Sequence, residues 1–431
     1  MESIQTVQET GQEVEPRQPP QTTKPSKPID IESTHGKRPP AIVLDGAVAA
    51  LSVVRCLGAR GIPVYAINQP GSYVCRSRYC QWIELPDGAS PTTWSTFLLG
   101  AASDHLRGAV LLAASDLGIQ FIAKHRQELA ERFLLDESEP HAQLDMLNKQ
   151  ATYEHARAAG VPTPRFWPIK TLDDVLALRD ELVYPLILKP LLSHVFRQRF
   201  GTKFVVVNNF DELMDRYQPI RTTGIEMKLV EQIPGPDDRL CSYYTYLDEN
   251  QRPLFDFTKR IIRRFPENMG LGCYHITDWN PEVREVAMKL FRQAKLRGLA
   301  NAEFKYDERD GQLKLMECNA RFTDANCLVA AAGYDLPWFV YNRLVYRRHI
   351  EFGTYRRGMR LWNPLLDFEA ACALRRQGRL SWPAWLRSIA HRQVFPYFRW
   401  DDPMPTLAAE SRRVISFVSR RVTRLVRRLR T

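Results

Sequence analysis

Leu313-Lys-Leu-Met-Glu317-Cys-Asn319-Ala-Arg321-Phe322 decides how this chain folds. Upstream of it, Ala300-Asn-Ala-Glu303-Phe-Lys-Tyr-Asp307 carries a second carboxylate within an apolar run. Both runs alternate as strands do, and Asp307-Glu-Arg-Asp310-Gly311 between them has the residues of a hairpin turn. Two antiparallel strands would hold Glu303 and Glu317 side by side. Adjacent carboxylates repel unless a cation lies between them. Asn319 and Arg321 fall on the strand face of Glu317. Two carboxylates and an amide oxygen suit Mg²⁺, which takes oxygen ligands and keeps positions for water and phosphate. Arg321 would then face the phosphate.

The composition is that of an ordinary globular chain. At 431 residues, 44% hydrophobic and 25% charged, it is long enough for two or three domains. No apolar run reaches the length of a membrane span, and Met1-Glu-Ser-Ile-Gln lacks the basic and apolar parts of a signal peptide. Eight scattered cysteines form no CxxC pair, which predicts free thiols and a reducing cytoplasm. The net charge of +11 is uneven: residues 412–430 hold eight arginines and no acid. Without them the balance is +3, so the basic character belongs to one segment and does not point to nucleic acid.

Residues 1–40 are polar and Pro-rich, which predicts disorder. Ala41-Ile-Val-Leu44, a helix over 47–60 and Ile62–Ile67 read as a βαβ unit. Ala109–Ala114 is a further strand of that sheet, with a helix after it through about Arg132. Ligands of such sheets lie beyond the strand C-termini, which makes Asp45, Gly46, Ser115 and Asp116 candidate lining residues. A helix over 148–160 precedes Val161-Pro-Thr-Pro164, a rigid extended exit. Pro185-Leu-Ile-Leu-Lys189-Pro190 and Lys203–Val207 are strands, followed by a helix over 210–217. Lys228-Leu-Val-Glu231-Gln-Ile233 is a strand leading to Pro234-Gly-Pro-Asp237-Asp238. Strands follow at 240–247 and 253–263, then a loop from Pro266 to His275 and an amphipathic helix over 281–297.

These pieces in this order resemble the ATP-grasp superfamily, over about residues 41–345. The resemblance rests on Lys149 with Gly-Val-Pro-Thr-Pro164 downstream, Leu-Ile-Leu-Lys189-Pro, Leu-Val-Glu231-Gln-Ile233-Pro-Gly, Glu303, and Glu317-x-Asn319-x-Arg321. Within the superfamily it looks most like the carboxylate–amine ligases and carbamoyl-phosphate-synthase-like enzymes, D-aspartate ligase included. Ser72-Tyr-Val-Cys-Arg-Ser-Arg-Tyr-Cys80 is similar to a feature of their first domain. The resemblance implies an α/β (α+β) chain. A Rossmann-like pre-ATP-grasp domain over 41–140 precedes a small lobe over 141–230 and a large lobe with the metal site over 231–345. An aromatic-rich extension over 346–403 and a basic amphipathic helix over 404–431 follow.

It further implies an ATP- and Mg²⁺-dependent ligase, with Mn²⁺ as the alternative ion. Such an enzyme phosphorylates a small-molecule carboxylate and joins it to an amine. Holding and neutralising the nucleotide is then most of the protein's work. By this resemblance Glu303, Glu317 and Asn319 hold the metal, and Lys149 and Lys189 contact the α- and β-phosphates. Glu231 and Ile233 form the hinge that reads the adenine edge. Asp238, or Asp237 beside it, reaches the ribose. Lys259, Arg260 and Arg321 are candidates for the reacting phosphoryl group, with Lys259 and Arg260 on opposite strand faces. The chain departs from the family at 191–202, where a Gly-rich lid is replaced by a segment with Ser193, His194, Arg197, Arg199 and only Gly201. Lys203, with the two arginines, stands where that lid would contact phosphate. Gly270-Leu-Gly272 is a second candidate mobile segment, on the acceptor side. The rival reading keeps the nucleotide site without turnover, in a regulatory or scaffolding protein at a membrane surface.

From Val414 to Leu429 the apolar residues recur every three or four positions and arginines fill the rest. A basic amphipathic helix fits an anionic surface, which predicts a cytoplasmic protein attached at the inner face of the membrane. The alternative is docking on an acidic protein face. The aromatics over 380–403 would be an interfacial belt or a packing arm.

Overall fold

The computed structural model describes residues 38–190, 196, 199–202, 204–348 and 350–408. The polar N-terminal stretch, Ser193, His194, Arg197, Lys203 and the Arg-rich segment 412–430 lie outside them, and with them the expectations of disorder, lid contacts and membrane attachment made for those residues.

The first sheet is parallel. Strands β1 (Ala41–Leu44), β2 (Val64–Ile67), β3 (Gln81–Ile83) and β4 (Val110–Ala113) lie in the order β3-β2-β1-β4. The helix Val48–Gly58 joins β1 to β2, as the βαβ pattern predicts. The helical stretch after β4 is broken into Asp116–Lys124 and Arg126–Ala130, with His125 between them. Both faces of β1 are buried, which is why Ala-Ile-Val-Leu reads as a continuous apolar run.

The second sheet is antiparallel, in the order β5-β8-β6-β7. It contains β5 (Phe166–Ile169), β6 (Leu186–Pro190), β7 (Val205–Val207) and β8 (Met227–Glu231). The sequence reading has no strand at β5, whose Pro168 demotes it; the structure puts it at the sheet edge, where a missing N–H is tolerated. The helix Phe210–Arg221 runs past its expected end and contains Pro219.

The third sheet has seven strands in the order β13-β12-β9-β10-β11-β14-β15. They are β9 (Leu240–Leu247), β10 (Phe257–Phe265), β11 (Leu271–Asp278), β12 (Gly298–Asp307), β13 (Gln312–Asn319), β14 (Arg360–Trp362) and β15 (Gln393–Val394). Two expected boundaries move. The helices Pro140–Leu147 and Lys149–Ala158 contribute Met146, Tyr153 and Ala156 to the apolar core under this large sheet, not to the small one. The extension over 346–403 supplies the strands β14 and β15 at one edge, so it joins the large sheet. The loop expected from Pro266 to His275 is shorter: the chain turns at Pro266–Gly270, and β11 begins at Leu271. A Cβ on Gly270 would lie 1.8 Å from the Phe265 carbonyl oxygen, so only glycine fits that turn.

The hairpin of β12 and β13 has the predicted pairing, Glu303 opposite Glu317, but with a bulge. Phe304 pairs with Leu315, leaving Met316 as an extra residue. The bulge reverses the alternation. Leu313 and Leu315 enter the core below the sheet, and so do Cys318 and Ala320. Met316, Glu317, Asn319 and Arg321 line the opposite side.

Buried ion pairs fasten the extension. The Asp367 carboxylate takes a two-pronged bond from Arg263 on β10 (2.6 and 2.9 Å) and accepts the indole N–H of Trp362 (3.0 Å) and Trp385 (2.9 Å). Asp402 accepts from Arg55 Nε (2.9 Å), Ser77 Oγ (2.7 Å) and the Arg78 N–H (2.9 Å), tying the end of the extension to the first domain. The 72–80 segment, which resembles a feature of the family's first domain, thus receives this strap. All eight cysteines are free.

Asp367→Ala leaves the buried Arg263 charge without a counter-ion, which should cost about 3–5 kcal/mol in urea unfolding. Arg263→Met combined with Asp367→Leu should recover part of that loss. Equal destabilisation of the single and double variants would contradict the account.

Candidate active site

A cleft of about 610 Å³ opens between the first sheet, the small sheet and the large sheet. Its floor is a row of side chains crossing the large sheet. Register places Glu317 beside Glu303, Glu303 beside Ser242, and Ser242 beside Lys259. Lys259 is buried and its ammonium donates to Ser242 Oγ (3.1 Å). Burial lowers the Lys259 pKa, and the nearby Glu303 opposes that shift. Glu317 is reached by water from the open cleft, yet protein walls surround it. That enclosure raises its pKa first, and the Glu303 charge raises it further, while Lys149 and Arg321 pull it down. Asn319 is buried and its amide donates to Asn301 Oδ1 (3.5 Å), which is itself fixed by donation to the Tyr243 carbonyl (3.1 Å). The side chain is thereby oriented with its nitrogen toward Asn301.

Across the cleft stand Lys149, at the start of its helix, and Lys189 on β6. Burial brings Lys189 down to about 8, with the Lys149 and Lys228 charges adding to the shift. Lys228 is its register partner on β8 and is lowered for the same reasons. Sequence reasoning passes over Lys228, though its alternation with Val230 points it to one face with Lys189. A second chamber of about 260 Å³ shares Lys149, Ile187, Lys189 and Met316 with the cleft. Its walls are largely apolar, with Tyr153, Phe166 and Val230, and it ends at the Glu231–Ile233 hinge.

The hinge is held by charges the sequence reading leaves out. Lys305 is buried and donates to the carbonyls of Ile233 (2.9 Å) and Gly235 (2.8 Å) and to Asn268 Oδ1 (2.8 Å). Burial, then the Arg264 charge, lowers Lys305 to about 8. Its position in the Glu303 strand, two residues on, was the available signal. The Glu231 carboxylate accepts from the Arg165 N–H (2.9 Å) and from the Arg309 guanidinium. Each Glu231 oxygen thus carries one bond that fastens it to its neighbours, Arg309 of the β12–β13 turn included, while the residue lines the second chamber. The Ile233 carbonyl is likewise engaged by Lys305, though the residue lines the chamber.

Other expected residues separate. Arg260 points away from the cleft and pairs with Asp278 (3.2 Å), because strand alternation turns it opposite to Lys259. Asp237 pairs with Arg264 (2.6 Å) and accepts from the Asn268 N–H (3.1 Å). Asp238 is exposed and lines a different pocket beside Glu267 and Arg379, so neither acid borders the second chamber. Gly46, Ser115 and Asp116 line the cleft; Asp45 instead accepts a hydrogen bond from Ser115 Oγ (2.6 Å). Arg321 lies in the cleft as expected, but its guanidinium is ion-paired with Asp116 of the first domain. Of the segment replacing the lid, Phe196 is buried and stacked on Phe200 (4.6 Å), and Arg199 is exposed. His275, which the sequence reading does not single out, also lines the cleft; burial, then Lys259, lowers it to about 3, so its ring is neutral.

Two carboxylates side by side, with an oriented amide and lysines opposite, fit a divalent cation that shares its shell with phosphate oxygens. Among the described residues no group of three or more His, Cys, Asp or Glu forms a closed metal cage. An open, oxygen-rich set suits Mg²⁺ rather than zinc.

No protein-family model matches the chain. It is 26% identical over 268 residues to D-aspartate ligase of Enterococcus faecium (strain Aus0004), covering 59% of this chain. The chain spans 62% of that relative's own length. Its fold is similar to phosphoribosylglycinamide synthetase from Anaerococcus prevotii (TM-score 0.56, 14% identity, 75% of this chain and 79% of that one). It is also similar to the biotin carboxylase domain of Hydrogenobacter thermophilus 2-oxoglutarate carboxylase in complex with MgADP and bicarbonate (TM-score 0.56, 16% identity, 76% of this chain and 74% of that one). At these identities the structural likeness carries the fold. The chain therefore has the ATP-grasp fold and is related in sequence to D-aspartate ligase.

Proposed function

We propose that this protein is an ATP- and Mg²⁺-dependent ligase that activates a carboxylate as an acyl phosphate and joins it to an amine. One observation carries the reading: the Glu317–Glu303–Ser242–Lys259 row lies directly across a cleft from Lys149 and Lys189. Acids on one wall and lysines on the other match a polyphosphate with its cation. The sequence similarity to D-aspartate ligase supports this reaction class.

In this reading the apolar chamber takes the adenine ring against Phe166, Ile187 and Val230, and the triphosphate enters the cleft past Lys149 and Lys189. A Mg²⁺ ion held by Glu303, Glu317 and Asn319 would neutralise phosphate charge. The buried Lys259 ammonium is fixed by Ser242 and offers positive charge on the same floor, where charge develops during phosphoryl transfer. The substrate carboxylate attacks the γ-phosphorus, the bond to the β–γ bridging oxygen breaks, and ADP leaves. The amine then attacks the acyl carbon, the acyl–oxygen bond breaks, phosphate leaves, and the nitrogen loses a proton to solvent. Arg321 is placed to meet an anionic group if it exchanges Asp116 for it.

Incubation with Mg·ATP and pairs of amino acids should release ADP only with the matching pair. Glu317→Ala should lower that turnover by about a hundredfold or more, the equivalent of about 3 kcal/mol of charge stabilisation. Unchanged turnover in that variant, or tight ATP binding without ADP release across the panel, would oppose the ligase reading.

Lys189 supplies a pH test. Its pKa near 8 means it is charged below that value and neutral above it. Bound phosphates favour the charged form. ADP affinity should accordingly be full below pH 8 and fall as pH rises through it, with proton uptake on binding near pH 8. Calorimetry in buffers of different ionisation heat measures that uptake. Lys189→Arg should abolish it; uptake that persists in Lys189→Arg assigns the proton elsewhere.

A further inference from the structure

The extension splits the aromatic segment into packed and unpacked parts. Trp362 and Trp385 are bonded to buried Asp367, but no residue of the helix Trp382–Ile389 is buried. Phe368 stacks on Trp382 (5.8 Å) and meets Trp385 edge-on (5.9 Å), and the two tryptophans touch (5.7 Å). Phe368 is 50% exposed, and Leu365, one turn before it, is 56% exposed. Leu386, one turn after Trp382, is also 56% exposed. These residues make one apolar patch across two helices, Pro364–Arg376 and Trp382–Ile389. It is not loose chain. The Asp367–Arg263 and Asp367–Trp385 bonds pin both helices to β10, so the patch stays apolar and outward by construction.

Its rim is basic. Arg375 lies over the Trp382 ring (5.2 Å), and Arg376 and Arg387 on the same two helices are exposed, while Arg379 is paired with Glu267 (2.6 Å). Within residues 364–392 the acids are Asp367, which is buried, and Glu369. The charge selects the occupant. A second copy of the chain would set one arginine rim against another. The chain's own C-terminal segment, with eight arginines and no acid over 412–430, would do the same. An anionic lipid surface complements both. Its headgroups meet the arginines, and Trp, Phe and Leu enter the boundary with the acyl chains, where tryptophan is favoured.

We propose that the face built from Leu365, Phe368, Trp382 and Leu386 docks the protein on an anionic bilayer, independently of what its cleft catalyses. The described helices include none long and apolar enough to cross a membrane, so contact would be peripheral. The test is flotation of the full chain with vesicles of phosphatidylcholine alone and of phosphatidylcholine mixed with phosphatidylglycerol. Binding should require the anionic lipid and weaken at high salt. Phe368→Glu combined with Leu386→Glu should lower the partition at least about tenfold, while ADP binding and the melting temperature stay unchanged. If that variant loses ADP binding, Leu386→Glu alone serves. An unbound wild-type chain overturns the proposal. So does a folded patch variant that partitions like wild type, which would leave the terminal arginines as the attachment. A patch-dependent dimer seen by light scattering, without vesicle binding, overturns it in favour of a second copy.

Discussion

The site depends on one extra residue in β13. Without the bulge at Met316, strict alternation would send Glu317 into the core with Leu313 and Leu315, where a carboxylate has no partner. The bulge turns Glu317 up beside Glu303 and lets Cys318 and Ala320 return to the core. Next to the bulge, the Leu315 N–H donates to the Pro162 carbonyl (2.8 Å). The Val161–Pro164 exit from the preceding helix is thereby coupled to the strand that carries the acids. Enclosure by the protein first, and then the Glu303 charge, raises the pKa of Glu317. A cation between the two carboxylates would relieve the repulsion between them.

Other charged side chains position that pair against its surroundings. Lys305 and Arg309 lie on the Glu303 side of the hairpin and hold the hinge, through the Ile233 and Gly235 carbonyls and the Glu231 carboxylate. Strand β12 and its turn thus fix both the floor of the cleft and the end of the apolar chamber. Arg321 joins the end of β13 to the first domain through Asp116. Arg55 and Asp402 join that domain to the extension, whose Pro396 and Tyr397 reach the cleft wall. This part of the cleft is therefore built from segments distant in the chain, joined by the buried Arg55–Asp402 pair and the more exposed Arg321–Asp116 pair. Such pairs contribute position more than stability.

Much of this was legible because it is local. The hairpin, the shared face of Glu317, Asn319 and Arg321, and the apolar strand ending at Lys189 all follow from alternation and turn residues. The bulge was legible in principle: Leu313, Leu315 and Glu317 share odd positions, and an acid in register with two leucines calls for a shift. What was not legible depends on partners far away in sequence. The bond between Glu231 and Arg309 cannot be read from either residue's neighbours in sequence. Asp237 looks like a ribose ligand until Arg264 claims it. Arg260 and Lys259 are equal in sequence, and only the sheet decides which enters the cleft. The extension looked separate because its strands, β14 and β15, are too short to declare themselves without the sheet they join.

The central claim is that the bulge sets Glu303 and Glu317 around one divalent ion in contact with nucleotide phosphate. A crystal grown with ADP and Mn²⁺ in place of Mg²⁺ tests it directly, because manganese is located by its anomalous scattering. The account predicts a single strong peak bridging Glu303 and Glu317, within bonding distance of Asn319 and a phosphate oxygen. Nucleotide in the cleft with manganese elsewhere, or Glu317 turned into the core beside Leu315, would contradict it.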